Sequence, residues 1–194
     1  MESERILLRP VSMADAEDIY EYAQDEETGP RAGWPPHKTI EDTKKIINMW
    51  LSPDNAEKVF VIVFKPDNKV VGTIGVQKLN IKVKESKNEY VNDRIREGKI
   101  LYEIGITISK PYWNKGIATE IIKMMEENIF TKLKGDEIVL THFEANIGSK
   151  RAQEKNGYKE IYRFKSAEKW WTTDCQTTIV RSKTKEEWHS ESEM

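Results

Sequence analysis

The segment from residue 100 to residue 129 constrains the fold most, because the spacing of its apolar residues changes inside it. Alternate positions of ILYEIGITI are isoleucine or tyrosine, which is the period of a strand. After Gly116 the apolar residues recur at helical spacing. Pro111 and Gly116 lie between the two patterns and predict a tight turn. The segment is therefore a strand that turns directly into a helix, and DEIVLTHFEA follows as the next strand.

The chain before residue 100 adds strands and two helices. RILLRP, KVFVIVF and VVGTIGVQKLNI read as strands, and the turn KPDNK joins the last two into a hairpin. A capping box of Ser12 and Asp15 begins one helix. Thr39 caps a second helix that is expected to turn Ile40, Ile47, Trp50 and Leu51 inward.

The chain after residue 144 is expected to add one helix and two strands. NIGSKRAQEKNGY reads as a short helix that ends at Gly157, and YKEIYRF and CQTTIVR read as the last strands. The whole pattern predicts an α/β fold with a mixed, mostly antiparallel central sheet and helices on both faces. We expect one domain over residues 1–194, with a core of about residues 4–182 and a polar tail at 183–194.

Three stretches are expected to lack regular structure. EETGPRAGWPPHKT holds three prolines and two glycines and reads as a loop. Residues 82–99 are polar and charged and read as a mobile excursion. The chain after Arg181 is polar and is expected to fray.

Composition excludes several classes of function. The net charge is −2, which gives no overall attraction to nucleic acid or to a membrane surface. Cys175 is the one cysteine and the three histidines are far apart, so no disulfide and no metal site is expected. The N-terminus lacks a signal-peptide core, and no apolar run reaches the roughly 20 residues of a membrane span. We therefore expect a cytoplasmic protein.

The helix start after Gly116 is a candidate phosphate-binding site. A helix start exposes N–H groups and the positive end of the helix dipole, which together bind phosphate. The segment lacks both the Walker loop and the second glycine of a dinucleotide fingerprint. A tight turn with no ligand is the alternative.

A second segment, thirty residues on, resembles the GNAT acetyltransferase superfamily when it is taken with the first. Gly116 and Ala118 match the family's pyrophosphate loop. The later matches, at the family spacing, are Asn146, Ser149, Gly157 and Tyr158. The likeness covers about residues 4–182 and implies an acetyl-CoA-dependent N-acetyltransferase that uses no metal.

The resemblance also implies which residues hold acetyl-CoA. The loop from Asn114 to Thr119 would bind the pyrophosphate through backbone N–H groups, and the strand amides of Ile106 and Ile108 would polarise the thioester carbonyl. The Thr119 hydroxyl would also reach a phosphate, with a capping or surface hydroxyl as the alternative. Asn146 would hold the pantetheine arm as well as cap its helix. The expected cofactor-binding set is Ile106, Ile108, Trp113, Asn114, Lys115, Gly116, Ile117, Ala118, Thr119 and Asn146.

Two departures from the common family pattern point to one branch. Trp113 stands where most members have Gln or Arg, and YWNKGIATE looks like the W-G-K-G-x-A-T-E form of enzymes that acetylate ribosomal-protein N-termini. Gln153 stands where many members have a tyrosine that protonates the CoA thiolate. That branch instead has a serine three positions after its Asn, where Ser149 stands.

The expected catalytic residues are Glu103 and Ser149. Acetyl transfer needs a neutral amine, and Glu103 on the strand is the candidate base, with a solvated carboxylate or a water chain as the alternative. Ser149 is the candidate proton donor to the CoA thiolate, with a helix-surface serine as the alternative. Trp34, His37 and Trp170 are candidates for the acceptor site, because their segments border it in the resembled fold. A proline-stiffened connector and core packing are the alternatives for them.

The sequence leaves three questions open. The acceptor is either a protein N-terminus or a small amine such as a polyamine, antibiotic or amino acid. Replacement of the tyrosine by Gln153 also leaves a non-catalytic acyl-CoA-binding module open. A homodimer through the edge strands is open too.

Overall fold

The computed structural model describes residues 1–55, 57–80, 89–165 and 176–192. Its strands are β1 (Ile6–Pro10), β2 (Lys58–Phe64), β3 (Lys69–Lys78), β4 (Leu101–Ile108), β5 (Glu137–Phe143), β6 (Lys159–Lys165) and β7 (Thr177–Thr184). Its α-helices are α1 (Ala16–Ala23), α2 (Thr28–Ala32), α3 (Ile40–Leu51), α4 (Glu89–Arg96), α5 (Ile117–Glu127), α6 (Ile147–Lys155) and α7 (Lys185–Ser192). Short 3₁₀ turns cover Met13–Asp15, Lys65–Asp67 and Lys110–Tyr112, and a π-helical turn covers Asn128–Lys132.

Within these residues the strands form a seven-stranded sheet in the order β1-β2-β3-β4-β5-β7-β6. The β4–β5 pair is parallel, and β1–β2, β2–β3, β5–β7 and β6–β7 are antiparallel. The predicted mixed, mostly antiparallel α/β fold is confirmed.

The chain divides into two compact units, and the first covers Met1–Val76 and Gly105–Ile121. Its antiparallel strands pair Leu8 with Ile62 and Val61 with Thr73. Ile19 and Ile47, on α1 and α3, are buried against Val61 in one apolar cluster. Both predicted caps are present: a box of Ser12 and Asp15 precedes α1, and Thr39 accepts a hydrogen bond from the Asp42 amide at the start of α3.

The second unit covers Gln77–Ile104 and Ile122–Met194. Its parallel pair runs from Leu101 opposite Glu137 to Ile104 opposite Leu140. Leu101, Val139 and Val180 form a buried cluster together with Val91 of α4. Gly157, at φ 78°, follows α6 as expected for a left-handed helix stop.

Three regions that the sequence predicts to be irregular contain helices, which are α2, α4 and α7. Helix α2 begins where the Asp25 side chain accepts bonds from the Thr28 hydroxyl and from two backbone amides. Gly33, at φ 95°, ends it. The predicted loop therefore supplies its own start and stop signals at short range.

The other two helices form because single side chains reach a buried surface. In α4, Arg94 Nε and the Tyr90 hydroxyl donate to the buried Glu137 carboxylate at 3.0 and 2.9 Å. In α7, the Trp188 ring packs 5.4 Å from the Phe130 ring. The strand before α7 also runs on to Thr184, with Lys183 1% exposed, so the prediction that this tail frays is wrong.

One predicted core residue is exposed. Ile47 is fully buried, but Leu51 at the end of α3 is 49% exposed, which corrects the expectation that it faces inward. No helix in the described residues is long and apolar enough to cross a membrane. The same residues contain no group of His, Cys, Asp and Glu side chains that could hold a metal ion.

Candidate functional site

The backbone between β4 and α5 turns sharply in front of a helix start. Asn114 and Gly116 have φ values of 60° and 76°, and α5 begins at Ile117. Residues 114–116 are exposed. A Cβ placed on Gly116 would have Arg5 Nη2, at 3.9 Å, as its nearest neighbour, so the glycine is required by the backbone angle and not by crowding. The loop thus presents open backbone at the positive end of a helix.

Arg5, the residue directly before β1, contacts this loop and the start of α5. Its Nε donates to Glu120 Oε2 at 3.0 Å, and its Nη1 donates to the Lys115 carbonyl at 3.2 Å. Ser3 Oγ also donates to the Glu120 carboxylate, at 2.5 Å. Glu120 lies in the first turn of α5, where its negative charge would repel an anion. Pairing with Arg5 compensates that charge and fixes the loop.

Trp113 and Tyr112 anchor the other end of the loop. Trp113 Nε1 donates to the Ile108 carbonyl at 2.7 Å. The Tyr112 hydroxyl donates to Asp67 at 2.6 Å, and this bond, with burial and the Asp67 charge, raises the pKa of Tyr112 to about 12. The Lys115 ammonium lies 4.8 Å from the centre of the Tyr112 ring. A cation is thus held beside the turn.

The end of β4 directs two amides to one edge. The Ser109 amide donates to the Val71 carbonyl of β3 at 2.8 Å. Because neighbouring residues of a strand direct their N–H groups to opposite sides, the amides of Ile106 and Ile108 point away from β3. The register of β4 with β5 ends at Ile104, before either of them along the chain. Both amides therefore face the same side of the strand, beyond the part of β4 that pairs with β5.

Helix α2 contacts the loop through two charged side chains. The Arg31 guanidinium stacks over the Trp113 ring at 4.7 Å. Glu27 pairs with Arg31 at 3.0 Å and also with Lys110, which begins the 3₁₀ turn before Trp113. Arg31 and Glu27 were not identified from the sequence, since nothing in a turn-rich segment indicates which of its charges pair with a distant loop.

Trp34 and His37, the predicted acceptor-site residues, lie side by side after α2. Their ring centres are 5.2 Å apart. Trp34 packs so closely on Gly29 that a Cβ there would lie 2.5 Å from the indole. His37 Nδ1 is 2.8 Å from the buried Thr43 hydroxyl, and burial lowers the pKa of His37. Burial therefore favours the neutral imidazole, and both residues also have a packing role.

The second unit holds Asn146 and Ser149 at the start of α6. Asn146 Oδ1 accepts a hydrogen bond from the Ser149 amide at 3.1 Å, which confirms the predicted cap. Gln153 Nε2 donates to Ser149 Oγ at 3.0 Å, one helical turn later. Ser149 is partly exposed and Gln153 is buried. The structure thus brings Asn146, Ser149 and Gln153 together.

Glu103 lies on β4, three residues before Ile106. It is half-buried and interacts with other residues of the chain. Two positions along, a Cβ on Gly105 would meet no described atom within 4 Å, so there is open space beside that face of the strand. Trp170 lies outside the described residues, and its predicted role stays a prediction.

The comparisons with known proteins identify the family. The model of the Acetyltransferase (GNAT) domain matches residues 5–159. The chain belongs to the GNAT acetyltransferase family. It is 27% identical, over 176 residues, to the uncharacterized N-acetyltransferase YnaD of Bacillus subtilis (strain 168). The alignment covers 87% of this chain and 90% of the relative. The GNAT chain is therefore an acyltransferase, as the sequence predicts.

Solved GNAT structures share the fold. A GNAT-family acetyltransferase from Bacillus anthracis superposes with a TM-score of 0.76 at 23% identity, covering 96% of this chain and 98% of that chain. A spermidine N-acetyltransferase from Vibrio cholerae, in complex with CoA and spermine, gives 0.73 at 17% identity and covers 96% and 99%. At these identities the likeness shows the fold, and the acceptor of this GNAT chain needs its own argument.

Proposed function

We propose that this protein transfers the acetyl group of acetyl-CoA to a primary amine, with the loop from Trp113 to Thr119 holding the pyrophosphate. The observation that carries the proposal is the turn of positive φ at Asn114 and Gly116, exposed and directly before α5. A nest of backbone amides at a helix start is suited to phosphate oxygens. Acetyl-CoA, when bound, supplies a thioester whose carbonyl carbon accepts the amine.

The charges around the loop support this role. Arg5 offsets the one acidic side chain in the first turn of α5, and Lys115 lies beside the turn without a carboxylate partner in the described residues. These features favour an anion over a cation at the loop. The alternative, a tight turn with no ligand, gives no reason for both Arg5 and Ser3 to donate to the Glu120 carboxylate.

The chemistry on the acetyl side depends on β4. The amides of Ile106 and Ile108 are proposed to donate to the thioester carbonyl oxygen as it gains negative charge. The amine nitrogen attacks the carbonyl carbon, the carbon–sulfur bond breaks and its electron pair stays on sulfur. Starting from the neutral amine, the nitrogen loses one proton and the sulfur gains one, so the products are an amide and a thiol.

Two side chains are proposed to move these protons. A lysine-like amine has a pKa of about 10.4 and an α-amine a pKa of about 8, so either is mainly protonated at pH 7 and must lose a proton before it attacks. Glu103 is proposed to accept it, directly or through water. Ser149 is proposed to donate a proton to the departing sulfur and to regain one from solvent, since Gln153 replaces the tyrosine common in the family.

For the acceptor we favour a protein N-terminus, such as that of a ribosomal protein. The motif YWNKGIATE resembles that branch. A small polycation needs free carboxylates, but Asp25 caps α2 and Glu27 pairs with Arg31 and Lys110. Burial acts to raise the pKa of Asp25, but hydrogen bonds from Thr28 and Glu27 outweigh it and lower the pKa. These acids are thus used inside the protein.

Trp34 and His37 are proposed to border the acceptor, because α2 contacts the loop and the two rings follow directly on it. Trp170 is retained as a third candidate on the family resemblance alone. A small amine, including spermidine, and a non-catalytic acyl-CoA-binding module are the alternatives that experiment must separate.

The proposal is tested with acetyl-CoA and a panel of peptides with free N-termini, spermidine and an aminoglycoside, followed by mass spectrometry for one added acetyl group. We expect peptide products, and Glu103→Gln should lower turnover about 100-fold with little change in acetyl-CoA affinity. Preference for spermidine would overturn the acceptor assignment. Acetyl-CoA binding with no product from any amine would support the non-catalytic alternative.

A further inference from the structure

The Ser149 and Gln153 side chains form a pair with a defined direction. Gln153 Nε2 lies 3.0 Å from Ser149 Oγ and 3.3 Å from the Thr141 carbonyl oxygen. A carbonyl oxygen can only accept, so the amide nitrogen, and not the amide oxygen, must face Thr141. The same nitrogen faces the serine. Ser149 Oγ is therefore the acceptor of this bond, and its own hydrogen is directed elsewhere.

The surroundings of Gln153 keep the amide in this orientation. Its side chain is 3% exposed, so it has no room to turn into water. Gln153 Oε1 and His142 Nδ1 are both buried, and neither has a partner with hydrogen-bond geometry among the described residues. Burial and Arg181 lower the pKa of His142, while the Gln153 amide acts to raise it, which agrees with an amide oxygen turned towards the imidazole.

The Ser149 hydroxyl, by contrast, lies at the surface. Ser149 is partly exposed, and its Oγ donates no hydrogen bond in the part of the chain that the structure describes. The hydroxyl is thus held by an incoming bond while its hydrogen remains available to a ligand.

We infer that Gln153 is a positioning residue for acetyl transfer, which rests on the proposed function. Its N–H fixes Ser149 Oγ with the hydroxyl hydrogen turned outward, as a donor to the sulfur that leaves the thioester. A hydrogen bond accepted by an oxygen polarises that oxygen's own O–H group and strengthens the bond that it donates. The residue that replaces the family's tyrosine thereby acts through a neighbouring hydroxyl instead of donating directly.

A double-mutant cycle of Gln153→Met and Ser149→Ala tests this inference. Methionine has a similar length and no donor. In the wild-type background Gln153→Met should lower kcat about fivefold, the equivalent of one neutral hydrogen bond, with an unchanged KM for acetyl-CoA. In the Ser149→Ala background the same substitution should cost nothing further. Gln153→Leu, which also lacks a donor, provides a second variant and should also act only when the serine is present.

The outcomes separate this inference from the function on which it rests. An equal loss of kcat with and without Ser149, for both Gln153 variants, would mean that Gln153 merely supports the fold, and would overturn this inference alone. Failure of the wild-type protein to acetylate any amine in the panel would overturn the proposed function and this inference together. Thermal unfolding with acetyl-CoA shows that each variant is folded and binds its donor.

Discussion

Arg5 and Glu120 lie 115 positions apart in the sequence, and Arg5 Nε donates to Glu120 Oε2 at 3.0 Å. The same guanidinium donates to the Lys115 carbonyl. One side chain, directly before β1, therefore contacts both the start of α5 and the turn before it. The loop proposed to hold pyrophosphate is therefore shaped by a residue outside the motif.

Replacement of Arg5 should weaken acetyl-CoA binding. Arg5→Met removes the bonds to Glu120 and Lys115 and leaves an uncompensated carboxylate near the phosphate, so we expect about a fivefold or greater increase in Kd. Arg9, four residues on in β1, pairs with Asp15 instead, and Arg9→Met is the matched control. Calorimetric titration of both variants measures the difference, and equal Kd values would remove Arg5 from the loop's support.

The Tyr112 hydroxyl should make stability depend on pH in the alkaline range. Its pKa is raised to about 12 in the folded protein, mainly by the bond to Asp67, against about 10 unfolded. The folded state thus favours the neutral phenol, so the stabilisation is complete below pH 10 and is lost as the pH rises to 12.

Tyr112→Phe removes this contribution. Denaturant unfolding at pH 8, 10 and 11.5 should show a smaller loss of stability with pH for the phenylalanine variant than for wild type. Parallel losses in the two proteins would mean that Tyr112 ionises normally and that its bond to Asp67 is weak.

Lys183 should be the most costly lysine to replace in its unit. It is 1% exposed and donates to Glu126 Oε1 at 3.3 Å, to the Asn156 carbonyl at 2.8 Å and to Glu191 Oε2 at 2.6 Å. Removing one partner of a buried pair leaves a buried charge, so Lys183→Met should lower the unfolding free energy by about 3 kcal/mol.

An exposed ion pair is the control for this prediction. Lys159 is 74% exposed and pairs with Glu187 at 2.6 Å, and Lys159→Met should cost much less than Lys183→Met, because solvent screens an exposed pair. Adding Glu126→Gln to Lys183→Met should restore part of the loss, because the buried carboxylate is then neutral. Chemical denaturation of the four proteins checks the order, and similar costs for both lysines would contradict it.

Much of the fold follows from local sequence. The caps at Ser12 and Thr39 are recognisable because each is followed three residues later by an aspartate whose carboxylate accepts a hydrogen bond from the cap's backbone amide. Alternating and helical apolar patterns also place the strands and the longer helices. Helix α7 escapes such patterns, since Trp188 is its one large apolar residue and packs on Phe130, 58 positions earlier.

The candidate site divides in the same way. Gly116 and Asn146 carry local signals, a turn and a cap, and the structure has both. Arg5 and Arg31 carry no local signal, because a charged residue in a predicted strand or a predicted loop gives no indication of its distant partner. Gln153 and Ser149 are only four residues apart in the sequence. The orientation of the Gln153 amide, however, is set by the carbonyl of Thr141 on β5.

The proposed pyrophosphate loop is tested most directly by a pair of matched glycine variants. Gly116 and Gly98 have φ values of 76° and 81°, and a Cβ at either has no described atom closer than 3.9 Å. Alanine at each position therefore carries the same backbone strain, about 1 to 2 kcal/mol. Only Gly116 lies in the loop.

Acetyl-CoA is titrated into wild type, Gly116→Ala and Gly98→Ala by calorimetry. The proposed pyrophosphate loop predicts that wild type and Gly98→Ala bind acetyl-CoA with the same Kd. Gly116→Ala should bind with a Kd at least about tenfold higher, which corresponds to a loss of about 1.4 kcal/mol or more at the pyrophosphate. Equal binding by all three proteins, or no binding by wild type, would contradict it.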